Sequence, residues 1–587
     1  MTTPASRTRL HEARRWVARR SREASGTRTP ADALGVSEVV ASVLAARGVE
    51  TEEDARALLR PTLEQLHDPL LMLGMRESVG RVLRAVDSGE RILIYGDYDV
   101  DGTTGTVVLR RALEFLGAQT GYHVPHRFTE GYGIRRDVLE RAKADGYTLV
   151  ISVDCGIRAH EPLEWARENG LDVIVTDHHL PDDEEGAPPA FAVLNPNQRG
   201  CAYPDKNLAG VGVAFKLAHA LFRERGRENL VPGFLKVVAI GTVADVAQLT
   251  GENRTIVSLG VKDMHRATNP GLRALLEVSG CDDARALKAS DLGFRVGPRI
   301  NAAGRMDAAR AVVELFESKE MSEARRIAAQ LDARNRERQV VQQEVTERAV
   351  AELELSGQEA TAVVVVAGEG WHRGVIGLAA SKIAEKLHRP AVVISIDEDG
   401  AGHGSARSME GFHMLDALTS CADLMDGFGG HAHAAGLGIK RDNVAELRRR
   451  LNEYASKIVC EDEEGVPCLE YDVELPPEAL DLELCAELEA LEPHGAGWPR
   501  PIFVTRGLRV VGEPRVMKER HLKFNVNTSE GRVHECIWWR AAERKAATPR
   551  PGECIELAYA MEANIWNGRT RLQLVVEDLK ESDKKSC

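Results

Sequence analysis

Three apolar runs in this chain each stop on acidic or histidine residues, and that pattern narrows the possible folds more than any other. Residues 92–101 read Ile-Leu-Ile-Tyr-Gly-Asp97-Tyr-Asp99-Val-Asp101, residues 150–156 read Val-Ile-Ser-Val-Asp154-Cys-Gly, and residues 173–179 read Val-Ile-Val-Thr-Asp177-His178-His179. Short apolar runs bounded by turn-forming residues read as strands buried on both faces. Helical patterns at Thr103 to Phe115 and Arg135 to Lys143, and a further strand at Gly121 to Val124, lie between them. Such alternation predicts a parallel sheet with right-handed crossovers. Ligands of these sheets bind beyond the carboxyl ends of the strands, so residues far apart in sequence converge on one rim.

The chemistry of that rim is specific. Asp97, Asp99 and Asp101 alternate, and a regular strand would place them on one face. Like charges that close repel unless cations lie between them. Carboxylates mixed with one or two imidazoles suit Mn²⁺ or Mg²⁺ better than a thiolate zinc site. Two such ions about 3.5–4 Å apart can share a carboxylate and activate one water. A lone Asp after a strand is often only a helix N-cap. Three strand ends of this kind point instead to a metal-dependent enzyme acting on phosphate esters.

At 587 residues the chain needs several domains. We expect a helical region over 1–75, a catalytic parallel-sheet domain over 76–320, a connecting helix over 321–355, a smaller α/β domain over 356–457 and a β-barrel over 466–582. Arg14, Arg15, Arg19, Arg20 and Arg22 read as a solvated helix face in preference to a nucleic-acid arm. The net charge of −14 argues weakly against nucleic acid, although binding follows the local field of a groove and not the whole-chain sum. No apolar run approaches the roughly 20 residues of a membrane span, and the N-terminus lacks a secretory apolar core. Ten cysteines without a Cys-x-x-Cys pair read as reduced thiols of a cytoplasmic protein.

Later segments add candidate ligand contacts. Gly370-Trp-His372-Arg373-Gly opens a helix after a strand, where free N–H groups can meet an anion. Ser405 and Arg407 add a hydroxyl and a guanidinium, and His431 and His433 lie on a glycine-rich loop. A satisfied loop histidine is the preferred account of His433. In the barrel, Trp538, Trp539 and Trp566 lie among Lys518, Arg520, Lys523 and Arg571, a mixture that suits stacking of single-stranded bases. Adjacent Trp538 and Trp539 must face opposite sides of a strand, so at least one packs inside.

These motifs resemble, in order, those of the DHH phosphoesterase superfamily: Asp97-Tyr-Asp99-Val-Asp101-Gly, Val153-Asp154-Cys-Gly, Asp177-His178-His179, and Gly241-Thr-Val-Ala-Asp245-Val with Gly251-Glu-Asn-Arg254. Gly297-Pro-Arg299-Ile-Asn301-Ala-Ala-Gly-Arg305 and Glu130-Gly-Tyr-Gly133 are similar to segments of its RecJ-type single-strand exonucleases. The resemblance implies DHH, DHHA1 and OB-fold domains. It assigns Asp97, Asp99 and Asp154 to one metal and Asp101, Asp154, His178 and Asp245 to the other. His179 would touch the scissile phosphate and Asp177 would orient its neighbours. Arg127, Arg299, Ser405, Arg407 and His431 would contact nucleotide or phosphate, with a surface ion pair as the competing account of Arg127. Trp539, Lys523 and Trp566 would bind nucleic acid, while Trp498 and His494 stand where Asn and Phe are common and leave that loop's role open.

The activity implied is 5′-to-3′ hydrolysis of single-stranded DNA to 5′ mononucleotides, in repair and recombination, by a monomer with two Mn²⁺ or Mg²⁺ ions. A single-strand-binding protein and a helicase would be further partners. A phosphodiesterase for short oligonucleotides or cyclic dinucleotides, or a pyrophosphatase, is the alternative; the chain's length and barrel weigh against it. A replication scaffold that has lost its ligands is disfavoured because every expected ligand is present.

Overall fold

Strands Arg91–Gly96, Tyr147–Val153 and Asp172–Thr176 are buried along nearly their whole length, as their apolar runs require of strands covered on both faces. The computed structural model describes residues 14–19, 31–127, 129–182, 184–282, 286–305, 309–358, 361–409, 411–459, 468–528, 531–541, 548–566 and 568–582. The first lobe is built on a five-stranded parallel sheet in the order Gln119–His123, Arg91–Gly96, Tyr147–Val153, Asp172–Thr176, Ala192–Leu194. Strand order therefore reverses between Arg91–Gly96 and Tyr147–Val153, the place where open sheets leave a crevice. Gly96 is in register with Val153, and Val153 with Thr176. Asp97, Asp154 and Asp177 consequently emerge side by side. Their N–H groups extend the ladder, donating to the carbonyls of Val153 (3.2 Å), Thr176 (2.9 Å) and Leu194 (3.0 Å).

Helices Val100–Phe115 and Gly210–Glu224 cover one face of this sheet around Ile92, Ile94, Leu109, Val211 and Phe215. Helices Arg136–Ala144 and His160–Glu168 cover the other around Leu93, Tyr95, Leu139, Leu163 and Val175. Full burial of each such aliphatic side chain contributes roughly 1.5–3 kcal/mol, which fixes the sheet edge that carries the acids.

The 35-residue helix Met321–Leu355, roughly 50 Å long at 1.5 Å per residue, joins the two lobes. Its first turns bury Ala324, Ile327 and Leu331 in the first lobe, and its last turns bury Val345, Ala349 and Leu353 in the second. The second lobe holds a five-stranded mixed sheet in the order Met425–Gly430, Ala434–Lys440, Ala401–Arg407, Ala391–Ile396, Val364–Glu369. Alternation sorts its side chains: Val392 and Ile394 face one core, Ala391 and Val393 the other. In the C-terminal unit, strands Phe503–Met517, His521–Asn527, Val533–Trp538, Arg569–Glu581 and Cys554–Trp566 close into a barrel through pairing of the first with the last.

Five expectations need correction. The region 1–75 is not wholly helical: Arg15–Ala18 is a strand paired in parallel with Cys468–Tyr471. Arg19 meets Glu470 at 3.1 Å and Asp472 at 3.5 Å, so cross-strand pairing replaces a solvated helix face; Arg20 and Arg22 lie outside the described residues. Helices Glu38–Ala46 and Glu52–Leu59 do form, but Val40, Leu44 and Ala55 pack into the barrel's core, because their apolar faces need a partner. The acids of residues 97–101 do not alternate along a strand, since the strand ends at Gly96 and a helix starts at Val100. The N–H of Gly374 is not free for an anion: the His372 side chain caps it at 3.1 Å. The expectation of reduced thiols throughout fails at Cys554, which is disulfide-bonded, while the described cysteines 155, 201, 281, 421, 468, 485 and 536 form no disulfide. Among the described residues no helix is long and apolar enough to cross a membrane.

Candidate metal centre

Each acid reaches the sheet rim by a different local device. Asp97 follows the last residue of its strand and is 3% exposed. Asp99 is the N-cap of helix Val100–Phe115, accepting from the N–H of Gly102 at 3.0 Å. Asp101, in that helix's first turn, receives the N–H groups of Gly210 (2.6 Å) and Val211 (2.7 Å) at the start of another helix, where the helix dipole favours an anion. Asp154 sits at φ 62°, a left-handed conformation that Asp tolerates better than most side chains. Asp245 closes helix Leu235–Ala244.

The side chains converge. Asp97, Asp99 and Asp154 offer ligand atoms that all lie within 4.8 Å of one another; so do Asp101, His178 and Asp245, and so do Asp154, His178 and His179. The Nε2 of His178 stands 3.2 Å from Asp154, 3.8 Å from Asp101 and 3.8 Å from Asp245. Three buried atoms here, Asp97 Oδ1, Asp154 Oδ1 and His178 Nε2, have no hydrogen-bond partner. Buried polar atoms are seldom left so, and oxygen and imidazole donors around a shared carboxylate fit a pair of divalent cations.

The electrostatics agree. Burial, then the charge of Asp99, pushes the Asp97 carboxyl well up. Burial and Asp99 push Asp101 to about 7, and burial with neighbouring carboxylates raises Asp154 and Asp245. Burial, then His179, lowers His178 to about 4, leaving a neutral imidazole with a free lone pair. Asp177 differs from the other acids. Burial would raise it, but the hydrogen bond and charge of His179 hold it below its usual value. Its Oδ1 takes the N–H groups of His178 (2.8 Å) and His179 (3.1 Å) and lies 2.8 Å from His179 Nδ1, while Oδ2 takes the N–H of Ile157 (2.9 Å). Burial opposes protonation of His179, yet its hydrogen bond to Asp177 and that carboxylate's charge raise its proton affinity.

Two glycines are sterically required. A Cβ on Gly210 would stand 2.7 Å from Asp154 Oδ1, and one on Gly102 would stand 2.6 Å from Asp97 Cβ.

Basic groups face this rim. Arg127 lies over the ring of Tyr98 at 4.9 Å. Arg407 donates to Ser405 Oγ at 3.0 Å. Burial, then the nearby Arg127, lowers Arg407. Burial, then His433, Arg407 and His179, lowers His431, which places the second lobe's loop within electrostatic reach of the metal rim. Arg299 is not directed there alone: it pairs with Asp332 at 2.9 Å. In the barrel, Lys523 pairs with Glu535 at 2.7 Å. Trp538 is buried and Trp539 is 47% exposed, its ring edge-on to His521 at 4.8 Å. The Trp566 side chain lies outside the described residues. Trp498, left open by sequence, is 6% exposed in the barrel's core.

Sequence reasoning missed three contributors. Arg305 donates to the carbonyl of Gly374 in the opposite lobe at 2.9 Å. Burial, then Arg127, Arg338 and Arg407, lowers it to about 9. Tyr132 Oη lies 3.2 Å from His179 Nδ1 and 3.2 Å from the Asp154 carbonyl. Both residues fall inside motifs quoted above. Arg338, in mid-helix, carries no such signal.

The chain matches the DHH family, N-terminal domain, over residues 91–242, the DHHA1 domain over 359–457 and the RecJ OB domain over 471–578. Fold and site are thus those of a DHH phosphoesterase. Two similar curated proteins are the single-stranded-DNA-specific exonucleases RecJ of Dickeya dadantii, 38% identical over 91% of this chain and 94% of its own length, and of Bacillus subtilis, 39% identical over 94% and 69%. The crystal structure of RecJ in complex with Mn²⁺ from Thermus thermophilus superposes with a TM-score of 0.80 at 30% identity, covering 97% of this chain and 80% of that one. A complex of the same protein with Mg²⁺ gives 0.75 at 28% identity, covering 97% and 79%. The chain belongs to the RecJ family.

Proposed function

We propose that this chain is a single-stranded-DNA-specific exonuclease, cleaving phosphodiester bonds from the 5′ end with two divalent cations, Mn²⁺ or Mg²⁺, and releasing 5′ mononucleotides in repair and recombination. One observation carries the reading: the acid and histidine rim, a second lobe that matches the DHHA1 domain and the barrel occur together in a chain related to such exonucleases over 91% of its length. Asp97, Asp99 and Asp154 would hold one cation, and Asp101, Asp154, His178 and Asp245 the other. Bound there, the cations would acidify a water and neutralise charge at the phosphorus.

The protein's own groups do the rest. Asp177 engages the Nδ1 side of His179 and raises the ring's proton affinity, which favours the form whose Nε2 donates to a phosphate oxygen. Arg127, Arg407 and Ser405 supply positive charge and a hydroxyl to a backbone phosphate, and a guanidinium pairs two phosphate oxygens at once. His431 and Arg299 flank this path. The gap between lobes admits one strand, and Trp539, Lys523 and Trp566 hold its continuation on the barrel. On the same reading the enzyme is a cytoplasmic monomer, organised over the ranges given above, that meets its strand beside a single-strand-binding protein and a helicase.

End-labelled single- and double-stranded oligonucleotides, with Mn²⁺ and with chelator, test this. Loss of label as mononucleotide from the 5′ end of the single strand alone, only with metal, is the expected result. Cleavage of cyclic dinucleotides in preference to DNA would overturn it.

A further inference from the structure

Asp245 is held by a helix end that the C-terminal unit clasps. Helix Leu235–Ala244 closes in a two-bond cap: the N–H of Val246 donates to Val243 (3.2 Å) and that of Ala247 to Thr242 (3.2 Å). This is the Schellman arrangement, whose left-handed position is normally glycine. Here it is Val246, at φ 61° and 71% exposed. A β-branched residue in that conformation costs of order 1–3 kcal/mol, and such strain persists only where surrounding structure over-determines it.

The surrounding structure is segment 491–498, which precedes the barrel. The N–H of Leu249 donates to the carbonyl of Ala496 at 2.7 Å. Arg254, 5% exposed, spreads its guanidinium over the carbonyls of Leu491, Glu492 and Pro493, all at 2.9 Å. Trp498 stacks on that guanidinium at 5.1 Å and donates from Nε1 to Leu491 at 3.0 Å. A Cβ on Gly497 would lie 3.2 Å from Gln248 Cβ and 3.3 Å from Thr250 Cγ2. Residues 246–254 are therefore gripped from the C-terminal side within a few residues of Asp245.

We propose that Arg254 and the 491–498 segment position Asp245, so that affinity for the cation on the His178 side depends on the C-terminal unit being seated. This rests on the two-cation reading above. Arg254 is a positioning residue, since it touches no reacting group. Lysine at 254 keeps the charge but loses the fork that spans three carbonyls.

The experiment is a Mn²⁺ titration of the full-length protein, followed by electron paramagnetic resonance and calorimetry. Wild type should take up two ions; fewer would defeat the two-cation reading itself. Given two, Arg254→Lys should weaken one site by about 10- to 100-fold and spare the other, the range typical of lost outer-shell support. Excess Mn²⁺ should restore kcat, with KM for DNA unchanged. Gly497→Ala, which presses on residues 248 and 250, should give the same split and serves if Arg254→Lys does not fold. Arg47→Lys, at a guanidinium that lies 4.8 Å from the same Trp498 ring without touching residues 246–254, should lower the melting temperature without the split. Retention of both sites at wild-type affinity, or equal weakening of both, would overturn the proposal.

Discussion

Asp154 concentrates the physics of the site in one residue. Its left-handed backbone, its buried unpartnered Oδ1 and its place between two ligand groups all follow from where its strand ends. Asparagine tolerates the same backbone and nearly the same space, so Asp154→Asn removes charge without adding strain. We expect hydrolysis to fall about a thousandfold or more, some 4 kcal/mol of barrier. The melting temperature in chelator should rise, because one of several repelling carboxylates has been neutralised. A variant that cleaves at the wild-type rate would remove Asp154 from the centre. Single basic residues differ in their neighbours at this scale: Arg299 and Lys523 have acidic partners, whereas Arg127 lies on Tyr98 and its charge lowers the Asp97 carboxyl against the larger effect of burial.

At the scale of elements, the site is where two helix starts meet three strand ends. The Gly210–Glu224 helix presents its first N–H groups to Asp101 and its first Cα to Asp154. Gly210→Ala would drive a methyl against Asp154, in a helix that otherwise favours alanine. The expected outcome is a Mn²⁺ affinity lower by about 10- to 100-fold with an unchanged far-ultraviolet circular dichroism spectrum; unchanged affinity would mean that the carboxylate does not need its present position. Sequence periodicity located these strands to within a residue or two, because apolar runs respond to burial alone. It misread residues 97–101, since a strand-to-helix junction and an alternating strand both place polar groups at every second position. It also misplaced the arginine-rich segment, whose conformation depends on a strand more than 400 residues away.

The whole molecule couples charge, metal and strand. With no cation bound, Asp101 in the folded state titrates near 7 against about 3.8 unfolded, and Asp97, Asp154 and Asp245 are raised as well. The folded protein then holds more protons than the unfolded chain between these values, so stability falls as pH rises toward 7 and beyond. In chelator the melting temperature should drop between pH 5.5 and 8. Mn²⁺ competes with those protons, so the gain on adding it should be larger at pH 8 than at pH 6. Equal gains would show that the acids do not take up the ion. Lys382 lies close to Arg338, Arg520 and Arg540, where the long helix, second lobe and barrel converge. Binding of long single strands should weaken with salt, log K falling by about 0.7 per phosphate contact for each tenfold rise in salt, and Trp539→Ala should cost about 1–3 kcal/mol of that binding while sparing cleavage of very short oligonucleotides. Equal losses on both lengths would separate Trp539 from the strand's path.

The sequence by itself determined which segments are strands, where each stops, and that acids and histidines stand at those stops, because burial and turn chemistry are written locally. The second α/β lobe and the long helix were also legible, through motifs and an uninterrupted helical stretch. Only the tertiary structure decided the register that sets Asp97, Asp154 and Asp177 abreast, the lowered proton affinity of His178 beside the raised one of His179, and the grip of residues 491–498 on the loop beyond Asp245. Those depend on distances between residues remote in the chain, and no local pattern of side chains encodes a distance.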